Sequence, residues 1–178
     1  MQCSKDREPA GSGFRSFFQF KYILLGIAIL VSGLVWYGTR MVVAVIPEND
    51  KPPIVFSTYV GDRWNIYLTH SVERTPWEEF FRINGVNDMT MTHTRFESLG
   101  WGFPYAEYEG RLEHKNGKYI LEMNRPFKHV SLRIAVQAMQ HIIHGQDKYD
   151  LCTMYGTGTK LDIYAVYRYQ YWLKDFPE

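Results

Sequence analysis

The chain has 178 residues, is 46% hydrophobic, and carries 20 Lys and Arg against 19 Asp and Glu, for a formal net charge of +1. That apolar share supports one packed domain and argues against a disordered chain. The balanced charge lacks the basic excess with which nucleic-acid binders displace counterions from phosphates, so no nucleic acid is expected as a partner.

Residues 1–16 read as a polar cytoplasmic tail. From 17 to 40 the chain is nearly all apolar, and a helix of roughly 20 such residues covers the ~30 Å hydrocarbon layer of a bilayer. Lys21 and Arg40 sit where they can reach headgroups, and Trp36 and Tyr37 suit the interface. Lys5, Arg7, Arg15 and Lys21 precede the span, whereas Arg40 and Lys51 follow it, which predicts a cytoplasmic N-terminus and an extracytoplasmic remainder. The run is longer than a usual signal-peptide core and no A-x-A site follows, so an anchor is expected rather than a cleaved leader. The lipid bilayer is then the first expected partner. Cys3 and Cys152 fall on opposite sides of this span and cannot form a disulfide; Cys152 reads as a small buried hydrophobe.

Residues 41–53 are expected to be a linker. Residues 41–46 either prolong the helix or lead into the domain, and 47–53 hold three prolines, which deny both helix and central strand. From Ile54 to the end, the apolar pattern has a period near two. Strands are predicted at 54–59, 64–69, 79–84, 89–96, 111–114, 119–123, 130–136, 149–154 and 160–171, separated by glycine-containing turns. Asn116-Gly117 is the clearest hairpin turn, because both residues tolerate positive φ. Residues 134–143 fit a helix as well as a strand and turn, and are read as β. The aromatic end, with Tyr164, Tyr167, Tyr169, Tyr171 and Trp172, reads as a closing strand packed on the sheet rather than a stacking platform. The fold class expected is all-β, a sandwich or barrel outside the membrane, preceded by one helix.

Residues 70–104 concentrate chemistry: His70-Ser71-Val72-Glu73, then Glu78-Glu79, then Arg95, then Gly100-Trp101-Gly102-Phe103-Pro104. His70 and Glu73 fall where a strand gives way to a loop, a place where side chains project into clefts. The structural alternative is that His70 bonds a backbone carbonyl and that Glu73 or Glu79 pairs with Arg95. A metal site would draw on His70, Glu73 and a further carboxylate, but no His-x-x-x-His or Cys-x-x-Cys spacing supports it, and His141 and His144 converge only on a helix. Ser71 beside His70 lacks nucleophile geometry, since neighbouring strand residues face opposite ways. Gly100, Gly102 and Pro104 meet backbone needs of a tight loop that would present Trp101 and Phe103. No catalytic residue, metal or cofactor is assigned, and His70, Ser71, Glu73, Glu79, Arg95, Gly100, Gly102 and Pro104 are expected as binding or partner-contact residues.

His70-Ser71-Val72-Glu73 with Pro76, and Arg95-Phe96-x-Ser98-x-Gly100-x-Gly102-x-Pro104, resemble a small bacterial domain-of-unknown-function family whose members are commonly encoded beside TAXI-type TRAP transporters. The likeness spans roughly residues 54–169. The family's glycine loop usually has small or aliphatic residues where Trp101 and Phe103 stand here. The resemblance implies a membrane-anchored extracytoplasmic accessory to a solute transporter, with the TRAP permease or its solute-binding protein as partner; it carries over no catalytic residues. The competing expectations are a metal-assisted hydrolase and a purely structural envelope protein.

Overall fold

A computed structural model of the chain describes residues 12–70, 73–99 and 110–176. The chain divides into two units, Met1–Thr39 and Arg40–Glu178. The first contains a single described helix, α1 (Ser12–Gly38), whose stretch Phe20–Gly38 is long and apolar enough to cross a membrane. Its apolar residues lie all around the helix and are exposed, as in Ile23, Leu25, Ile27 and Leu30. A helix greasy on every side needs either a protein interior or lipid around it, so α1 is compatible with a single-pass anchor.

The second unit is a sandwich of two antiparallel sheets. Four strands, β1 (Met41–Pro47), β2 (Ile54–Ser57), β8 (His129–Arg133) and β11 (Lys160–Tyr167), form the smaller sheet in the order β2-β1-β11-β8. The larger contains β3 (Arg63–Thr69), β4 (Pro76–Gly85), β5 (Asp88–Phe96), β6 (Arg111–Lys115), β7 (Lys118–Phe127), β9 (His141–His144) and β10 (Asp147–Asp150). Its order is β10-β9-β3-β4-β5-β7-β6. Val43, Val45, Ile163 and Ala165 of the smaller sheet pack against Trp64, Ile66, Phe81, Ile83 and Met89 of the larger. Alternation of apolar and polar residues along β3 and from Phe81 to Asn84 of β4 follows from this, since one face is buried and the other meets solvent.

Residues 41–53 are more than a linker. Residues 41–47 form β1, which runs between β2 and β11 with Met41 opposite Tyr167 and Val43 opposite Phe56. Val42, Val43, Ala44 and Val45 are all fully buried, because Val42 and Ala44 are covered on the outer side by Tyr171 and Phe176. A strand covered on both faces loses its period-two pattern and reads as a continuous apolar run, which is why its sequence resembled a helix extension. Two further expectations change at strand ends. The predicted strand 149–154 stops at Asp150, whose carboxylate accepts from Thr153 N at 3.0 Å and caps α2 (Leu151–Tyr155). The predicted strand 160–171 ends at Tyr167, and α3 (Arg168–Leu173) follows. Residues 134–143 contain a 3-10 turn (Val136–Ala138) ahead of β9. The β6–β7 hairpin turns on Asn116 and Gly117, both at positive φ.

Candidate functional site

The geometry of the larger sheet is set by one irregularity. On β5, Met89 and Met91 point into the sandwich, and so do Thr94 and Phe96, a change of parity that requires an extra residue between them. That residue is Thr92: the pairing of β4 with β5 steps from Phe80 opposite His93 to Phe81 opposite Met91. A bulge of this kind re-aims the side chains beyond it. Here it turns His93 and Arg95 to the outer face of the sheet. The Thr92 hydroxyl donates to the Phe80 carbonyl at 3.3 Å and lies 3.0 Å from His93 Nδ1, tying the bulge to both neighbours.

On that outer face, Arg95 stands opposite Glu78 and forms a forked ion pair with it, Nε donating to Oε2 at 2.6 Å. The Arg95 guanidinium also lies 5.2 Å from the centre of the Phe80 ring. The His93 imidazole stacks on Phe80, with centroids 4.2 Å apart and planes 8° from parallel. Burial, then the positive charges of Arg95 and Arg63, hold His93 below the usual imidazole range. Phe80, His93 and Arg95, with Arg63 and Asn65 from β3, line an open groove of about 330 Å³.

The predicted site residues do not converge there. His70 closes the β3–β4 connection: its N–H donates to Thr75 O at 2.9 Å, its carbonyl accepts from Arg74 N at 2.9 Å, and its Nδ1 accepts from Glu73 N at 3.3 Å. The ring lies against Trp77 on the inner side, at the end of a row in which Trp77, Phe96 and Tyr119 stack across β4, β5 and β7. Glu79 also faces inward, opposite Ile66 and Thr94. Burial pushes its carboxyl above the usual range, with the Trp77 indole and the charge of Arg125 acting the other way. The expected pairing of Glu73 or Glu79 with Arg95 is therefore replaced by Glu78–Arg95. Glu78 and Glu79 are neighbours on a strand and must face opposite sides, and the bulge puts Arg95 on the side of Glu78. Ser71, Gly100, Gly102 and Pro104 lie outside the described residues.

His141 and His144 are on a strand and diverge. His141 faces outward, edge-on to Tyr67, whereas His144 Nε2 lies 2.9 Å from Asp62 Oδ2 and its ring stacks on Phe56. Among the described residues, no three His, Cys, Asp or Glu side chains form a group able to hold a metal ion. A larger cleft of about 510 Å³ is flanked by Pro47, Asn49, Lys51 and Trp172, and two of its donors are already engaged. Asn49 Nδ2 donates to Tyr155 O and Thr159 Oγ1, and Lys51 Nζ to Met154 O at 2.8 Å. The groove over Phe80 is different, because Arg63 and Asn65 make no side-chain hydrogen bond or ion pair among the described residues. Sequence reasoning passed over Arg63, Asn65, Phe80 and His93. The alternation of Arg63, Asn65 and Tyr67 with Trp64, Ile66 and Leu68 was the available signal, since it marks the outward row of β3.

Residues 65–151 match the family model described as a domain of unknown function (DUF1850). The matched segment begins within β3, takes in β4 to β10 and stops at the first residue of α2, so it holds most of the groove but not Arg63. It omits β1, β2 and β11, three of the four strands of the smaller sheet. No curated protein and no solved structure matches the chain.

Proposed function

We propose that this protein is a single-pass membrane protein, its N-terminus cytoplasmic and its β-sandwich extracytoplasmic, that serves as an accessory or interaction component of a TRAP-type (TAXI) solute uptake system. The apolar helix α1 and the positive charges before it support the anchor and its orientation. The motifs of residues 70–104, which fall within the matched segment, support the transporter context.

The observation that carries a contact role is the outer face of the larger sheet. A sheet face left to solvent needs only scattered polar residues, yet this one gathers a forked ion pair, a stacked Phe80–His93 pair and the uncommitted Arg63 and Asn65 around one groove. Arginine and aromatic residues are the types enriched at binding hot spots. The β3–β4 connection contributes Glu73, half-buried and singled out by the sequence, as a second candidate contact.

The test is capture of the tagged full-length chain from its own membranes after mild cross-linking. A permease subunit or a solute-binding protein of the TRAP type is expected with the wild type, with lower recovery for Arg63→Glu or Glu73→Ala. Recovery of no transporter subunit by the wild-type chain would overturn the reading.

A further inference from the structure

We infer that the groove on the outer face of the larger sheet is a binding site for a small organic carboxylate, held by Arg63 and Asn65 with its flat body on the Phe80–His93 pair. The inference rests on the reading of this face as the contact face and names the ligand class of its groove.

Charge is the first argument. Two arginines line the groove, and one of them, Arg95, is already neutralised by the fork to Glu78. Arg63 has no anionic partner among the described residues, and it stands directly opposite Arg82 across β3 and β4. Like charges in directly opposed strand positions repel. Arg82 turns to Asn84, donating from Nε to Oδ1 at 3.1 Å, which leaves both guanidinium charges uncompensated. An anion seated beside Arg63 relieves that repulsion, and the planar guanidinium fork matches a carboxylate with two parallel hydrogen bonds.

Hydrogen-bond capacity and shape narrow the class. The Asn65 amide is half-buried, lines the same groove and makes no side-chain hydrogen bond among the described residues, so it supplies a donor to the ligand and an acceptor for a second polar group. His93 has one ring nitrogen beside the Thr92 hydroxyl, and burial, then the positive neighbours, disfavour its charged form, so it adds a flat surface rather than a further cation. Glu78 and Glu122 lie close enough to act on His93 and oppose the accumulation of negative charge. A singly charged anion fits this balance better than a doubly charged phosphate. The Phe80 and His93 rings are parallel within 8° and form a floor suited to a planar or apolar ligand body. The groove, at about 330 Å³, is at the small end of ligand sites.

The probe is benzoate, a carboxylate on a flat ring, titrated calorimetrically into the full-length protein in lipid nanodiscs, with empty nanodiscs as blank and benzamide as the neutral isostere. Benzoate is expected to bind with one site per chain and at least about tenfold more tightly than benzamide, the discrimination that one charge-assisted contact supplies. Arg63→Gln is expected to remove that preference and Arg63→Lys to restore part of it, while Lys118→Gln, on β7 away from the groove, leaves it unchanged. Thermal unfolding of Arg63→Gln at or above the wild-type temperature establishes that the fold is intact, as expected for an exposed side chain with no ion pair among the described residues, opposite a second arginine. Equal binding of benzoate and benzamide, undiminished binding to Arg63→Gln, absence of benzoate binding to the wild type, or inorganic phosphate binding as tightly as benzoate would each overturn the inference. A transporter subunit still captured by the chain in any of those cases would leave the transport reading standing and the carboxylate site alone refuted.

Discussion

Glu78 and Arg95 face each other across β4 and β5 with the Glu78 side chain only 14% exposed and that of Arg95 38% exposed. Their fork joins two central strands on the side of the sheet away from the sandwich core. A carboxylate this sheltered is costly to leave without its cation, whereas the pair itself adds little beyond what a well-packed apolar pair would.

From this asymmetry, Arg95→Ala is expected to destabilise the protein by about 1–3 kcal/mol, the penalty for a poorly solvated group that has lost its partner. The double variant Glu78→Ala/Arg95→Ala should be less destabilised than the sum of the two single variants. Denaturant unfolding of the four proteins measures the coupling, and simple additivity would refute it.

Glu79 supplies a dependence on pH. Its carboxyl is raised from the ordinary value of 4.5, chiefly by burial on the inner face. A carboxyl harder to ionise in the folded state favours folding fully below its unfolded value, and that contribution is lost as pH rises through the folded value. Glu79→Gln is therefore expected to be more stable than the wild type at neutral pH, with the advantage vanishing below about pH 4. Unfolding free energies measured between acid and neutral pH give the sign, and an advantage that grew on acidification would contradict it.

Asp62 fastens the β2–β3 loop to the end of β9. It accepts from Thr58 Oγ1 at 2.8 Å and from Arg63 N at 2.8 Å, and it meets His144 Nε2 at 2.9 Å. Asp62→Ala removes the acceptor for three donors and is expected to cost about 1–3 kcal/mol. Hydrogen exchange should then accelerate at the amides of residues 58–63 and 144 ahead of those of β4 and β5, whereas uniform acceleration would point to a merely global loss.

The placement of β1 predicts where the soluble domain begins. A chain starting at Arg40 should fold, and one starting at Pro53 should not. The second lacks Val42, Val43 and Val45, each fully buried and worth about 1.5–3 kcal/mol, so their sum is of the order of a whole domain's stability. Dispersed amide resonances from the Arg40 chain and collapsed ones from the Pro53 chain are expected. A folded Pro53 chain would remove β1 from the obligatory core.

The sequence alone determined the elements that depend on local pattern. A greasy run of membrane length, strands of period two and the Asn116-Gly117 turn all follow from burial on one face and from backbone sterics, so α1, β3 to β7 and the β-sandwich class were legible. The both-sides-covered strand β1 was not, because a continuous apolar run carries no period to distinguish strand from helix. Nor was the ending of two strands in the short helices α2 and α3, where the Asp150 carboxylate accepts from Thr153 N and Gln170 Oε1 accepts from Tyr167 N, each at 3.0 Å. The candidate site depended still more on the tertiary structure. One extra residue, Thr92, reverses the parity of β5 and sends Arg95 outward to Glu78 while Glu79 stays inside. Which face a charged side chain meets is decided by the register of the neighbouring strand, and that register exists only once the sheet has formed.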